Sequence, residues 1–224
     1  EHCPFGRSAP GMSASRVVLW RHGQTDMNLT GRIQGARDFP LNEAGLRQAR
    51  EAAAALAPLE PSLIVSSPLA RARQTAEALS RVVGVDVETD DRLKERSFGL
   101  FEGLTGAEIE ERFPEQYRAW RQAKEPEGVG AERQADVGRR ASRAIEEWAA
   151  KTNGTLVVAS HGAAIKLATI SLLGEAPGQW MGLKVMSNCN WAILEPLRVG
   201  PPAWRIAAYN VGVGKSDEVR TPTQ

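Results

Sequence analysis

The chain has 224 residues, 42% of them hydrophobic and 25% charged, with a formal net charge of +1. That describes one well-buried globular domain, and the near-neutral balance gives no reason to expect nucleic acid or an anionic membrane as partner. No window approaches the roughly 18 consecutive apolar residues of a membrane span.

The opening EHCPFGRSAPGM lacks the apolar core of a secretory signal, so residues 1–14 read as a disordered leader or cloning remnant, 15–211 as a single domain, and 212–224 as a flexible tail. Two cysteines, Cys3 in the leader and Cys189 in an expected strand, imply no disulfide framework and fit a reducing cytoplasm. There is no Cys-x-x-Cys and no His-Glu-x-x-His, so neither a metal nor a cofactor is expected.

In chain order, SRVVLW (15–20) is a β-branched apolar run of the kind that forms a fully buried strand. After a loop holding Gly31, Gly35 and Pro40, residues 42–57 carry Leu46, Ala49, Ala53 and Leu56 on one face, with Asn42 as cap, and read as a helix. LIVSS (63–67) is the next strand, and 68–83 a helix with Pro68 at its first position. VDVETD (85–90) alternates like a third strand. Residues 91–131 are less regular, apart from a short helix opened by a Thr105/Glu108 capping box. A long helix follows over 132–151, then a strand (155–160), a helix (163–174) ending at Gly174, and two closing strands, CNWAILEP and AWRIAAY. Alternation of strands and helices predicts an α/β fold with one mostly parallel sheet covered on both faces, and the last two strands forming an antiparallel pair at or near one edge.

Two of the three histidines, His22 and His161, follow an apolar strand and precede a glycine, in VVLWRHGQTDMN and TLVVASHGAAIK. Ligands of open α/β sheets bind beyond the carboxyl ends of the strands, so neighbouring strands would aim both imidazoles into one pocket. A single histidine after a strand is usually a satisfied core residue; the repeated setting, with Arg21 adjacent, points to chemistry. The combination suits a phosphomonoester, a dianion near neutral pH. Arg21 offers a planar guanidinium, and Arg71, at the start of the 68–83 helix, can reach the same place. Alone, Arg71 would pass for an exposed helix arginine. A neutral ring nitrogen of His22 can attack phosphorus, while a protonated His161 would donate to the phosphoryl oxygens. The leaving alcohol needs an acid. Glu95, among apolar neighbours that would desolvate it, is the candidate, with Glu102 a competitor.

LWRHGQTDMN, GRIQG, PLNEAGLRQA, IVSSPLARARQTA, LKERSFGLFEG and VVASHGAAI resemble, in order and spacing, the histidine phosphatase (phosphoglycerate mutase-like) superfamily over about residues 16–210. The resemblance implies a three-layer α/β/α sandwich, His22 as the phosphorylated nucleophile and Glu95, rather than Glu102, as proton donor. It also implies Arg21, Arg71 and His161 as phosphate ligands, with Gly23, Asn28, Gln34, Gly35 and Gly162 completing the pocket. The substrate is then a small phosphate ester, and the closing strands resemble an actinobacterial branch, which favours glucosyl-3-phosphoglycerate or a related phosphoglycerate or sugar phosphate. No metal is implied, and a homodimer through an edge strand is common in the family. One departure is Gly130-Ala131-Glu132-Arg133, where relatives often carry Gly-Gly-Glu-Ser. The short interval between Glu95 and His161 separates a phosphatase from the mutases, which insert more there. A non-catalytic phospho-ligand module would have lost His22, Glu95 or His161. The carboxylate of a phosphoglycerate would need one more cation, from Arg37, Arg118, Arg133 or Lys184. GVGKS (212–216) lacks the first glycine of a P-loop, which would fall at Tyr209, so no NTPase is expected.

Overall fold

The computed structural model describes residues 13–197, 199 and 201–213. The elements run β1 (Arg16–Arg21), α1 (Asp26–Leu29), α2 (Glu43–Leu56), β2 (Pro61–Ser66), α3 (Ala70–Val83), β3 (Val87–Thr89), α4 (Gly106–Arg112), α5 (Pro114–Arg121), α6 (Gln134–Ala149), β4 (Thr155–Ser160), α7 (Gly162–Leu172), β5 (Trp191–Pro196) and β6 (Trp204–Val211). They form one six-stranded sheet of order β3-β2-β4-β1-β5-β6. The first four strands in that order are mutually parallel, and β5 runs antiparallel to both β1 and β6.

The continuous apolar runs are explained by burial on both faces. Val17, Leu19, Leu156 and Val158 pack with Ile145 of α6 and Ile165 and Ala168 of α7. Their alternates Val18, Trp20, Val157 and Ala159 pack with Leu56 of α2 and Leu79 of α3. Period-2 alternation thus feeds two separate cores, each fully buried aliphatic side chain contributing about 1.5–3 kcal/mol. The chain after β1 enters α2 on one face, whereas the chain after β4 enters α7 on the other. The carboxyl ends of β1 and β4 therefore flank the crevice where ligands of such sheets bind. A smaller cluster of Phe101, Ile109 and Val129, with Phe98, Tyr117 and Trp120 against it, forms a roof beside that crevice.

Local signals act as expected at several ends. Asn42 Oδ1 accepts from Gly45 N at 2.9 Å, and Thr105 with Glu108 forms a reciprocal capping box. Elsewhere the structure differs from expectation. Helix α3 begins at Ala70 with Leu69 as its cap residue, so Pro68 precedes the helix rather than opening it. Helices α1 and α5 were not anticipated; α5 starts at Pro114, directly after α4. Ala14, assigned by sequence to the leader, is fully buried, and its N–H donates to Ala149 O at 2.8 Å. The rest of the expected leader (1–12) and tail (214–224) lies outside the described residues.

Candidate active site

Parallel pairing of β1 with β4 places Arg21 opposite Ser160. The next residue of each strand is a histidine, so His22 and His161 emerge side by side with ring centroids 5.2 Å apart. A cavity of about 170 Å³ opens there, lined by Arg21, His22, Asn28, Arg32, Gln34, Gly35, Arg71, Glu95, Phe98 and Gly162 among others. His161 stands behind this lining, itself fully buried.

His22 is held as a nucleophile would need. Its Nδ1 lies 2.7 Å from Gly23 O. A carbonyl only accepts, so Nδ1 carries the proton and the Nε2 lone pair is left free. Burial, reinforced by the positive charges of Arg71 and Arg21, holds the ring well below the ordinary imidazole range, against a small opposing effect of the Gly23 bond. The backbone beneath is braced: Gly23 N donates to Thr75 Oγ1 at 3.1 Å, and Asn188 Nδ2 donates to both His22 O and Gly23 O at 3.1 Å. A Cβ at Gly23 would meet Gly45 O at 2.6 Å, so only glycine permits the approach of α2.

Arg71 is fully buried. Its Nη1 and Nη2 donate to Arg37 O and Gly35 O at 2.7 and 2.8 Å, while Nε has no protein partner. Desolvation lowers it to about 10, which leaves it charged at neutral pH. Arg21 donates through Nη1 to Met186 O, and its Nε is likewise unpartnered. Gln34 Oε1 accepts from Thr25 Oγ1 at 2.9 Å, and Asn28 Oδ1 accepts from Thr25 N at 3.1 Å. Their amide NH₂ groups remain for a ligand. Gly35, at φ 57°, sits where a Cβ would strike Glu102 Oε1 at 2.0 Å.

His161 was expected to donate to the phosphoryl oxygens in its protonated form. Burial first, then Arg71, His22, Arg21 and Arg140, drive its ring well below the ordinary range, which opposes that charged form in the ligand-free protein. Its Nε2 lies 2.8 Å from Ser67 Oγ, and its buried Nδ1 has no protein partner. The two glutamates are separated by what they touch. Glu95 reaches the cavity, its Oε1 accepting from Arg96 N and Ala164 N, both at 2.9 Å, and its Oε2 from Ala163 N at 3.1 Å. The apolar surroundings expected from sequence are thus replaced by backbone donors, two of them from the first turn of α7. Glu102 instead accepts from Ala36 N and Phe98 N at 3.1 and 3.0 Å and braces the Gly35 loop.

Ser67, Arg32 and Phe98 escaped sequence reading. Ser67 alone had a local signal, lying beside a strand end in Ser-Ser-Pro. Among the described residues, no group of three or more His, Cys, Asp or Glu side chains is arranged to hold a metal.

Comparison with known proteins bears on this arrangement. Residues 17–211 match the profile of the histidine phosphatase superfamily (branch 1). The glucosyl-3-phosphoglycerate phosphatase of Mycolicibacterium vanbaalenii is 34% identical, over 93% of this chain and 100% of that protein. Phosphoserine phosphatase 1 of Hydrogenobacter thermophilus is 34% identical, over 71% of this chain and 76% of that one. A solved mycobacterial glucosyl-3-phosphoglycerate phosphatase complexed with VO₃ superposes with a TM-score of 0.79 at 34% identity, covering 88% of this chain and 100% of that one.

Proposed function

The chain belongs to the histidine phosphatase superfamily and is a phosphatase, and we propose that it hydrolyses a small phosphate ester through a phosphohistidine formed on His22. The observation that carries this reading is the Nδ1–Gly23 O bond, 2.7 Å long, which leaves Nε2 unprotonated beside two charged guanidiniums.

In the first step the Nε2 lone pair forms the N–P bond as the ester P–O bond breaks. Arg21, Arg71, the Asn28 and Gln34 amides and His161 Nδ1–H face the charge on the equatorial oxygens. Glu95, carrying the proton on Oε2, which has only one backbone donor, gives it to the leaving oxygen. Water then attacks phosphorus, Glu95 takes its proton, and the N–P bond breaks to release orthophosphate. The arginines supply the positive charge, so the reaction proceeds without a metal. The favoured substrate is glucosyl-3-phosphoglycerate or a related phosphoglycerate or sugar phosphate, supported by the length and identity of the mycobacterial match. The described residues contain no helix long and apolar enough to cross a membrane. Strand β6, at the edge of the sheet, is where a second copy would pair.

The test is rapid quenching with a labelled phosphate ester in the presence of a chelator, paired with a metabolite panel. An acid-labile, base-stable phosphoenzyme that His22→Ala lacks supports the reading, as does a fall in turnover of at least about 10⁴-fold. Turnover without any phosphoenzyme overturns it, and loss of turnover in chelator overturns metal independence. Net isomerisation of 3-phosphoglycerate would make the protein a mutase.

A further inference from the structure

A second cavity of about 350 Å³ adjoins the phosphate site, sharing Phe98, Ala163 and Val185 with it. Ala163 is also the residue whose N–H holds Glu95 Oε2. The carboxyl group that protonates a leaving oxygen therefore stands at the boundary between the two cavities. An alcohol that takes its proton from Glu95 would have this second space beside it.

The lining of that space is chemically one-sided. Phe98, Trp120, Leu167, Met181 and Val185 give it an apolar wall, while Arg96, Arg121 and Lys166 are its charged members, with no carboxylate among them. Arg96 is already neutralised by Glu125 at 2.6 Å. Arg121 and Lys166 make no ion pair among the described residues. Lys166 is half-buried, and desolvation lowers its ammonium from the usual lysine value, a cost that a bound anion would relieve. The cations expected from sequence do not serve: Arg37, Arg118, Arg133 and Lys184 line neither cavity.

We propose that this cavity receives the alcohol part of the substrate, and that Lys166 with Arg121 selects esters whose alcohol carries a second anionic group, a carboxylate or a second phosphate. The apolar wall excludes water from one side of the ligand, which strengthens the charge pairing. The assignment rests on the phosphatase reading for its direction, from His22 through Glu95 into the chamber.

The experiment uses matched esters: 3-phosphoglycerate against glycerol 3-phosphate for a carboxylate, and fructose 1,6-bisphosphate against fructose 6-phosphate for a second phosphate. The readout is the ratio of kcat/KM within each pair for wild type, Lys166→Met, Lys166→Arg and Arg121→Ala. Lys166→Met keeps the apolar stem packed. The same ratios are measured as Kd by calorimetry on His22→Ala protein, which needs no turnover. We expect wild type to prefer the anionic member of at least one pair, and Lys166→Met to cut that preference about tenfold or more. Lys166→Arg should restore most of it, and the pair that responds names the anion. A preference that is absent in wild type, or unchanged in Lys166→Met by both measurements, overturns the proposal. If no ester is turned over but the Kd ratio shifts, the phosphatase reading fails and the anion site stands.

Discussion

Ser67 Oγ lies 2.8 Å from His161 Nε2, joining residues that follow neighbouring strands β2 and β4. The same oxygen accepts from Leu69 N at 3.3 Å, and its own proton is free to point at Nε2. With that proton donated, the ring carries its hydrogen on Nδ1, the nitrogen without a protein partner. Ser67 is accordingly a positioning residue. Ser67→Ala frees the ring to hold the other tautomer, and kcat should fall by about ten- to a hundredfold. KM should change little, since Arg21 and Arg71 remain. Steady-state kinetics read the split; an equal loss in stability and KM would mark Ser67 as packing only.

Glu95→Gln removes the transferable proton but preserves the acceptor geometry at Oε1. Turnover of alkyl phosphates should fall by about 10²- to 10⁴-fold, whereas an aryl phosphate with a good leaving group should be affected far less. Comparing both esters across wild type and variant decides the matter. A uniform loss would mean that the side chain merely anchors the start of α7.

Stability should decline as pH falls below about 6.5, the value for an unperturbed imidazole. Both His22 and His161 have folded values well below it. Within that interval the unfolded chain binds more protons than the folded one, so acid favours unfolding. Each ring contributes up to about 1.4 kcal/mol per pH unit. Urea midpoints at pH 7.5, 6.5 and 5.5 test this. Asp90, held at about 2 by its hydrogen bonds to Arg92 and Trp148, acts only at lower pH. A flat profile over the interval would show that both rings take up protons in the folded state as they do in the unfolded chain.

Gly35→Ala combines a φ of 57° with a Cβ 2.0 Å from Glu102 Oε1. The alanine must displace the carboxylate that holds Ala36 N and Phe98 N. We expect a loss of about 2–4 kcal/mol in unfolding free energy and a raised KM, because the loop carrying Gln34 shifts. Chemical denaturation with parallel kinetics checks both; unchanged stability would mean that Glu102 yields without cost.

The sheet was legible because β1 and β4 are buried on both faces, which writes them as unbroken apolar runs around Val17–Trp20 and Leu156–Ala159. Their adjacency was the condition under which the matched histidines could share a pocket, and the pairing of β1 with β4 meets it. What could not be read are properties set by partners distant in sequence. The protonation expected of His161 reckoned with a phosphate's charge but not with complete burial. Glu95 has apolar neighbours in sequence, yet its contacts are the amides of Ala163 and Ala164. Ser67 acts through strand pairing, and Lys166 looks like any helix lysine until Trp120 and Met181 fold over its cavity.

Arg71 is clamped by Gly35 O and Arg37 O without any help from a substrate. A receptor assembled in advance in this way spends little of the binding energy of a phosphoryl group on ordering its own side chain.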